Sequence, residues 1–590
     1  MSIYQQNLER LTQLSARLSV SDRRISLSRF LSISAAAFLF YQYYQTSNIL
    51  FLLAGMITAT SFFLLIRKHK SIRWENELAK AKIEINQDEK DFLASGKLDF
   101  DSGEEFIQHD HPYSYDLDFF GENSLFQTLN RTATTYGKQR LAKKLLHIQS
   151  KEEILQIHEA VQELTPNTEW RHQILALGKL KPDSHESNKQ LLDWANRKPR
   201  KFNSVIRALT FVLPALTIGA LSLYFIYPEG IFGNIGGLLF LINLAFLASH
   251  MLWIKEELIP TTKIEEILKQ HSFLLKEIEN QTFQSDKLKN LQFHLASNHT
   301  KASEAIHHLS LLFGRLEHVT NVFASPLLNG TLQYHLHVLH ALSKWRSKHA
   351  THLEGWLKVI GEFEAISSLS NFSYNNPGFV FPTINNEKRI QFENLGHPLI
   401  SKDKSVTNSI DFNTQSFFIL TGSNMSGKST FLRTVGVNMV LSGIGAPVYA
   451  EKATVHPMPV FVSMRLSDSL TDSESYFYAE VKRLKYIMEQ LDNGDAFVLL
   501  DEILRGTNSD DKRNGTIEVI RKMAEKNAFG GIATHDLEVC NITHDYSKTL
   551  TNKRFEVEIV NDELVFDYKL RDGVCENKSA SFIMKKMGVI

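Results

Sequence analysis

Residues 417–430 read Phe417-Phe418-Ile419-Leu420-Thr421-Gly422-Ser423-Asn424-Met425-Ser426-Gly427-Lys428-Ser429-Thr430, and Phe431-Leu432-Arg433-Thr434-Val435 follow. The apolar run Phe417 to Leu420 has the composition of a buried strand, and the run from Phe431 opens a helix. Between them Gly422 to Ser429 fits G-x-x-x-x-G-K-[ST] with nothing missing, in the strand–turn–helix setting that this motif requires. Gly422 and Gly427 let the backbone curl so that successive N–H groups face phosphate oxygens, and the helix N-terminus adds partial positive charge. Gly422 through Thr430 are therefore the candidate nucleotide-binding residues. Lys428 is expected on the β- and γ-phosphates and the Ser429 hydroxyl on magnesium.

Two further runs supply what such a loop needs. Phe497-Val498-Leu499-Leu500-Asp501-Glu502 is a buried-strand pattern ending in two acids. Asp501 is placed to hold the magnesium shell, and Glu502 to orient or deprotonate the attacking water. Gly530-Gly531-Ile532-Ala533-Thr534-His535 reads as another strand, with His535 at its end as a γ-phosphate sensor.

Together these residues resemble the ATPase domain of the MutS DNA mismatch repair family, a branch of the ABC-type ATPases. Leu395-Gly396-His397-Pro398-Leu399-Ile400 is similar to that family's G-x-H-P opening, with the x missing. Thr421 to Arg433 is similar to its T-G-x-N-M-x-G-K-S-T-x-L-R loop, and Leu500 to Asn508 to its L-D-E-x-x-R-G-T segment. Ala533-Thr534-His535 matches A-T-H, and Tyr568 to Gly573 matches Y-K-L-x-x-G. The resemblance implies ATP with magnesium, a homodimer, and DNA as the ligand. It also implies a composite site in which a serine of a second subunit reaches the γ-phosphate. Ser475, in Ser473-Glu474-Ser475-Tyr476-Phe477-Tyr478-Ala479-Glu480, is the residue expected to act in trans. Two departures stand out: Ser473 replaces the usual glycine, and the segment Ser509 to Gly515 is longer than the family spacing.

Upstream, Asn123 to Thr132, Gly137 to Leu141 and Ile157 to Leu164 resemble the opening of the family's helical core, or lever. The stretch before Phe120 is too short for mismatch-reading and connector domains, and no F-x-E wedge is evident. An aromatic wedge is how such a protein kinks DNA at a soft step, so mismatch selectivity is not expected.

Phe30–Tyr44 and Ile49–Ile66 are apolar tracts joined by Gln45-Thr46-Ser47-Asn48; Ala208–Tyr227 and Ile231–Ile254 form a second pair around Pro228-Glu229-Gly230. A bilayer-spanning helix needs ~20 apolar residues. Arg23, Arg24, Arg29, Arg67, Lys68 and Lys70 flank the first pair, and Arg197 to Arg207 and Lys255 the second. Neither connecting loop holds Lys or Arg, so both termini and the ATPase are expected in the cytoplasm, with two hairpins in the cytoplasmic (inner) membrane. The mixed charges from Lys68 to Lys90 read as a solvated helix leaving that membrane.

The expected organisation is an N-terminal transmembrane hairpin (1–75), a linker (76–119), the first part of a helical core (120–204), a second hairpin (205–254), a helical lever (255–390) and an ATPase domain (391–590). The fold class is mixed: an α/β P-loop, ABC-type ATPase domain, an all-α core and four transmembrane helices. Lys+Arg and Asp+Glu both total 65, so no global basic field advertises nucleic acid. Cys540 and Cys575 lack metal spacing and read as free thiols. His335, His337 and His340 lack a completing acid or thiol, and His109-Asp110-His111 before Pro112 reads as a solvated loop, so no metal site is expected at either. The expected function is a membrane-anchored ATPase coupling dimer closure to DNA. The alternative is an ABC-like mechanochemical or transport-associated protein acting on a membrane or protein partner.

Overall fold

The computed structural model describes residues 3–97, 99–200, 202–228, 230–258, 264–297, 300–321, 323–465, 476–560 and 563–576. The first apolar pair folds as α1 (Ile3–Thr46) and α2 (Ile49–Ser95), and the Asn48 side chain caps α2 by accepting from Leu50 N–H at 3.0 Å. At ~1.5 Å per residue each helix is more than twice as long as a ~30 Å hydrocarbon layer is thick. The two halves of the hairpin differ accordingly. Near the turn the surface is apolar and exposed, as at Phe38, Ile57 and Phe63. Away from it the antiparallel helices are joined by polar rungs: His69–Asp22 at 2.8 Å, Ser15–Asn76 at 2.8 Å and Asn7–Asn86 at 3.3 Å.

The helix expected over Lys68 to Lys90 runs on through the first part of the expected linker to Ser95, but it is not solvated all round, and α2 ends on Gly96 in the left-handed region (φ 71°). The reason is a buried face that the dense charges hide: Ala79, Ala81, Ile85, Asn86 and Glu89 turn inward, and Ala81 and Ile85 pack with Leu175 and Ala176. The second apolar pair folds as α3 (Ser204–Ile226) and α4 (Phe232–Ser249). By length and composition α1 to α4 are each able to cross a membrane.

A helix of 42 residues, α5 (Tyr334–Asn375), runs through the helical core and carries carboxylates that the interior must neutralise. Burial raises the Glu362 carboxyl, but Lys144 (2.6 Å) and Arg140 override it and bring the pKa to about 2. Burial wins at Glu364, pushed up to about 7, which accepts from Ala133 N–H at 3.0 Å and from the Thr134 hydroxyl. Beside the end of α5, Glu89 of α2 is ion-paired with Arg131 and accepts from Asn371 (2.8 Å) and Asn375 (2.9 Å). Burial opposes the Glu89 charge, yet Arg131 holds its pKa below the usual range.

After α5 the chain forms a six-stranded sheet from β1 (Phe417–Thr421), β2 (Val460–Ser463), β3 (Phe497–Asp501), β4 (Phe529–Thr534), β5 (Leu550–Val560) and β6 (Glu563–Asp572). The order is β6-β5-β1-β4-β3-β2; every pairing is parallel except β5 with β6. β1 and β4 are buried at every residue, as parallel strands covered on both faces require. A four-stranded sheet containing Gln391–Leu395 and Asn408–Asp411 flanks it. Buried residues of the helical core and of the sheet belong to one apolar cluster, in which Leu125, Phe363, Phe418 and Val435 all take part.

Removing one partner of a buried ion pair leaves an uncompensated charge at a cost of about 3–5 kcal/mol, whereas exposed pairs are worth about 0–1 kcal/mol. Arg131→Met is therefore expected to lower the thermal midpoint of the full chain by several degrees. Arg10→Met, which breaks the exposed pair with Glu169, is expected to leave it nearly unchanged in the same scanning experiment.

Candidate functional site

Strand register brings the sequence-derived residues to one edge. Thr421 lies beside Thr534, and Ala533 beside Asp501, so β1, β3 and β4 end together. Crevices at the carboxyl ends of parallel strands are where such sheets bind ligands. Beyond β1 the chain turns through Gly422 and enters α6 (Lys428–Gly443) at Gly427, whose φ of 99° lies in the left-handed region. A Cβ on Gly427 would sit 3.1 Å from the Tyr568 ring, so glycine here serves both conformation and space.

The loop's polar groups are already organised. The Lys428 ammonium donates to the Gly422 and Ser423 carbonyls, both at 3.0 Å, and lies 3.4 Å from His535 Nε2. Burial lowers its pKa, opposed by Glu502 and Asp501. Ser429 Oγ donates to Asp501 Oδ2 at 2.5 Å. Asp501 Oδ1 is buried without a hydrogen-bond partner among the described residues, as are Ser423 Oγ and Ser426 Oγ. Buried polar atoms left open at such a place are ones a ligand satisfies. Ser429 and Asp501 offer hard oxygens on adjoining elements, the donor set a magnesium ion takes when phosphates and water fill the rest of its shell.

Glu502 is held differently. Its backbone is left-handed (φ 49°), a strained setting for a residue with a side chain, and its N–H donates to Ala533 O at 3.0 Å. Its Oε1 lies 2.5 Å from His535 Nε2 and its Oε2 3.5 Å from Arg505. The His535 hydrogen bond, working against burial and helped by Arg505 and Lys428, brings the carboxyl to about 2. Arg505 Nε also donates to Glu502 O at 2.9 Å, and Arg505 N–H to Glu480 Oε2 at 3.0 Å, which fixes the turn after β3.

The loop, Glu502 and His535 open into a cavity of about 490 Å³. Its outer wall comes from residues to which the sequence gave no role: Lys404, Val406 and Asn408 on one side, Phe555 and Tyr568 on the other. Asn408 ties the two sides, donating to Tyr568 O at 2.9 Å and accepting from Leu570 N–H at 2.8 Å. Tyr568 opens a family-like stretch, so its presence was signalled though its role was not. Nothing local marks Asn408.

Ser475 lies outside the described residues. His335, His337 and His340 face separate partners, Asn329, Phe211 and Phe202 respectively. His111 meets the Leu146 carbonyl at 3.1 Å. Among the described residues no group of three or more His, Cys, Asp or Glu is set to hold a metal. Cys540 and Cys575 are buried and are not joined in a disulfide.

Residues 418–589 match the family described as MutS domain V. The chain is 29% identical over 273 residues to the human MutS protein homolog 4, covering 44% of this chain and 27% of that protein. It is 31% identical over 237 residues to the DNA mismatch repair protein MutS of Petrotoga mobilis (39% and 28% covered), and 28% identical over 243 residues to that of Thermotoga maritima (40% and 30%). The matched region thus spans less than a third of these relatives.

The folded pKa of Glu502 is depressed, so its pairing stabilises the fold fully above the unfolded value of 4.5 and loses that effect as pH falls toward about 2. At pH 5, where Glu502 is ionised, the thermal midpoint of His535→Ala should lie below that of wild type. Below that pH the gap should close, as thermal scans across this range will register.

Proposed function

We propose, on the match of residues 418–589 to MutS domain V, that the chain is a MutS-type, membrane-anchored ATPase whose dimeric closure on ATP is coupled to DNA. The observation that carries this reading is the convergence of Lys428, Ser429, Glu502 and His535 on one cavity at the carboxyl ends of β1, β3 and β4, with Asp501 bonded to Ser429 behind them. Gly422 to Thr430 hold the phosphates of ATP through loop N–H groups and the α6 N-terminus. Magnesium, held by Ser429 and Asp501, would neutralise phosphate charge.

Glu502 takes a proton from the attacking water as its oxygen bonds to the γ-phosphorus. The bond to the β–γ bridging oxygen breaks, and the products are ADP and phosphate. A carboxylate held near pKa 2 by His535 is a weak base, so the Glu502–His535 contact has to loosen before Glu502 can act. His535 Nε2, which lies 3.4 Å from Lys428 while it is paired with Glu502, is then free to bind the γ-phosphate. Ser475 of a second copy completes the site in trans.

Support for the anchor comes from the four apolar helices and the basic residues at their inner ends. On this reading both termini and the ATPase lie in the cytoplasm, against the cytoplasmic membrane. DNA is the ligand that the family premise favours, branched or distorted rather than mismatched. The balance of 65 basic and 65 acidic residues and the four apolar helices favour the second reading, an ATPase working on a membrane or protein partner.

Turnover of MgATP by the detergent-solubilised chain, with no DNA and with duplex, mismatched or branched DNA at low salt, separates the two. Stimulation ranked by DNA structure is expected. Lys428→Ala should cut turnover about 100-fold or more under every condition. Turnover indifferent to every DNA, with no DNA binding, would instead favour the second reading.

A further inference from the structure

We infer that the short helix Ala324–Leu332 is a third membrane-contacting element, seated among lipid acyl chains on the cytoplasmic side of the second hairpin. The inference rests on the proposal that α3 and α4 span the bilayer, and it concerns a segment to which the sequence gave no such role.

In a water-soluble helix the apolar face turns inward and the polar face outward. Here the polarity is reversed. Ser325, Asn329 and Gly330 are the buried residues of the helix, while Leu327 is 61% exposed, Leu332 42%, and Phe323, just ahead of it, 90%. Among the described residues no apolar part of the protein covers these side chains. Reversed polarity is what lipid selects: polar side chains face the helix bundle and apolar ones the acyl chains.

The contacts of its inner face fix its depth. A Cβ on Gly330 would lie 2.2 Å from the Phe240 ring, so the short helix rests its backbone directly on α4. The Gly330 carbonyl, in the last turn where intrahelical partners run out, accepts from Asn243 Nδ2 at 3.0 Å. The same amide donates to Thr217 of α3 at 2.8 Å, and Gln333 Nε2 donates to Asn243 Oδ1 at 2.6 Å. Asn243, Asn329 and Gln333 are all fully buried.

Asn243 lies six residues before Ser249, the inner end of α4. At ~1.5 Å per residue that is about 9 Å inside a ~30 Å hydrocarbon layer. A glycine at the crossing and side-chain amides tying off carbonyls and hydroxyls across helices are the means by which helices associate in lipid. The exposed face is continuous in character with the outer surface of the hairpin, where Leu216, Leu238 and Leu241 are 53%, 61% and 62% exposed. Acyl chains are therefore the occupant, and a second copy of the chain is the competing one.

The test uses the full-length chain in phosphatidylcholine–phosphatidylglycerol vesicles, with an environment-sensitive fluorophore on Leu327→Cys, Phe323→Cys, Leu241→Cys or Glu152→Cys. Cys540 and Cys575 are buried, and labelling of the unsubstituted chain gives the background. Phospholipids brominated on their acyl chains are expected to quench Leu327→Cys and Phe323→Cys nearly as strongly as Leu241→Cys. That quenching should be several-fold stronger than at Glu152→Cys, and aqueous iodide should give the opposite order. Quenching at Leu241→Cys but at neither Leu327→Cys nor Phe323→Cys overturns the inference and leaves the hairpins in the membrane. A disulfide between protomers at Leu327→Cys without lipid quenching assigns the face to a second copy and also overturns it. Absence of quenching at Leu241→Cys as well overturns the spanning reading of the hairpin.

Discussion

One unbroken helix connects the two ends of this molecule, and the polar groups buried along it constrain everything else. α5 begins beside Gln333, whose amide is tied to Asn243 of the second hairpin, and ends at Asn375, which meets Glu89 and Tyr4 of the first. Between these ends Glu362 and Glu364 need Lys144, Arg140 and the Thr134 backbone and hydroxyl in fixed positions. A buried carboxylate without its partners costs several kcal/mol, so these contacts set the register of the core on α5. The six-stranded sheet follows directly, and its apolar residues merge with those packed on α5. A rigid element with discrete polar contacts at both ends is the kind of part through which a change at one site biases another.

At the carboxyl edge of β1, β3 and β4, the proposed catalytic groups satisfy one another. Glu502 is bonded to His535, Ser429 to Asp501, and Lys428 to the carbonyls of its own loop. This arrangement avoids unpaired charge, and each contact is one that phosphate or metal can replace. The left-handed backbone at Glu502 shows that the turn after β3 is held by its surroundings, chiefly by Arg505, rather than by local preference.

Parts of this were legible in the sequence for specific reasons. Phe417 to Thr430 carries strand, turn and helix signals in direct succession, and β3 and β4 are short continuous apolar runs ending in acids or histidine. Four apolar tracts announce four long helices because no charge interrupts them. The inner half of α2 reads from its charges as a solvated helix, and its buried face is hidden because it is made largely of alanines, an asparagine and a glutamate among many surface charges. Glu89 becomes a core residue only through Arg131 and Asn371, distant in sequence. Asn408 and Lys404 reach the cavity through the flanking sheet, which no local pattern encodes. The short helix Ala324–Leu332 was missed because its composition is ordinary; only the direction in which its leucines point sets it apart.

The account stands on Glu502 as the group that activates water once His535 releases it. The most direct measurement is single-turnover hydrolysis of MgATP by the full-length chain and by Glu502→Gln, with nucleotide binding followed in parallel. The account predicts similar binding with hydrolysis slowed about 10²–10⁴-fold in the variant. Equal rates of hydrolysis in the two proteins would contradict it.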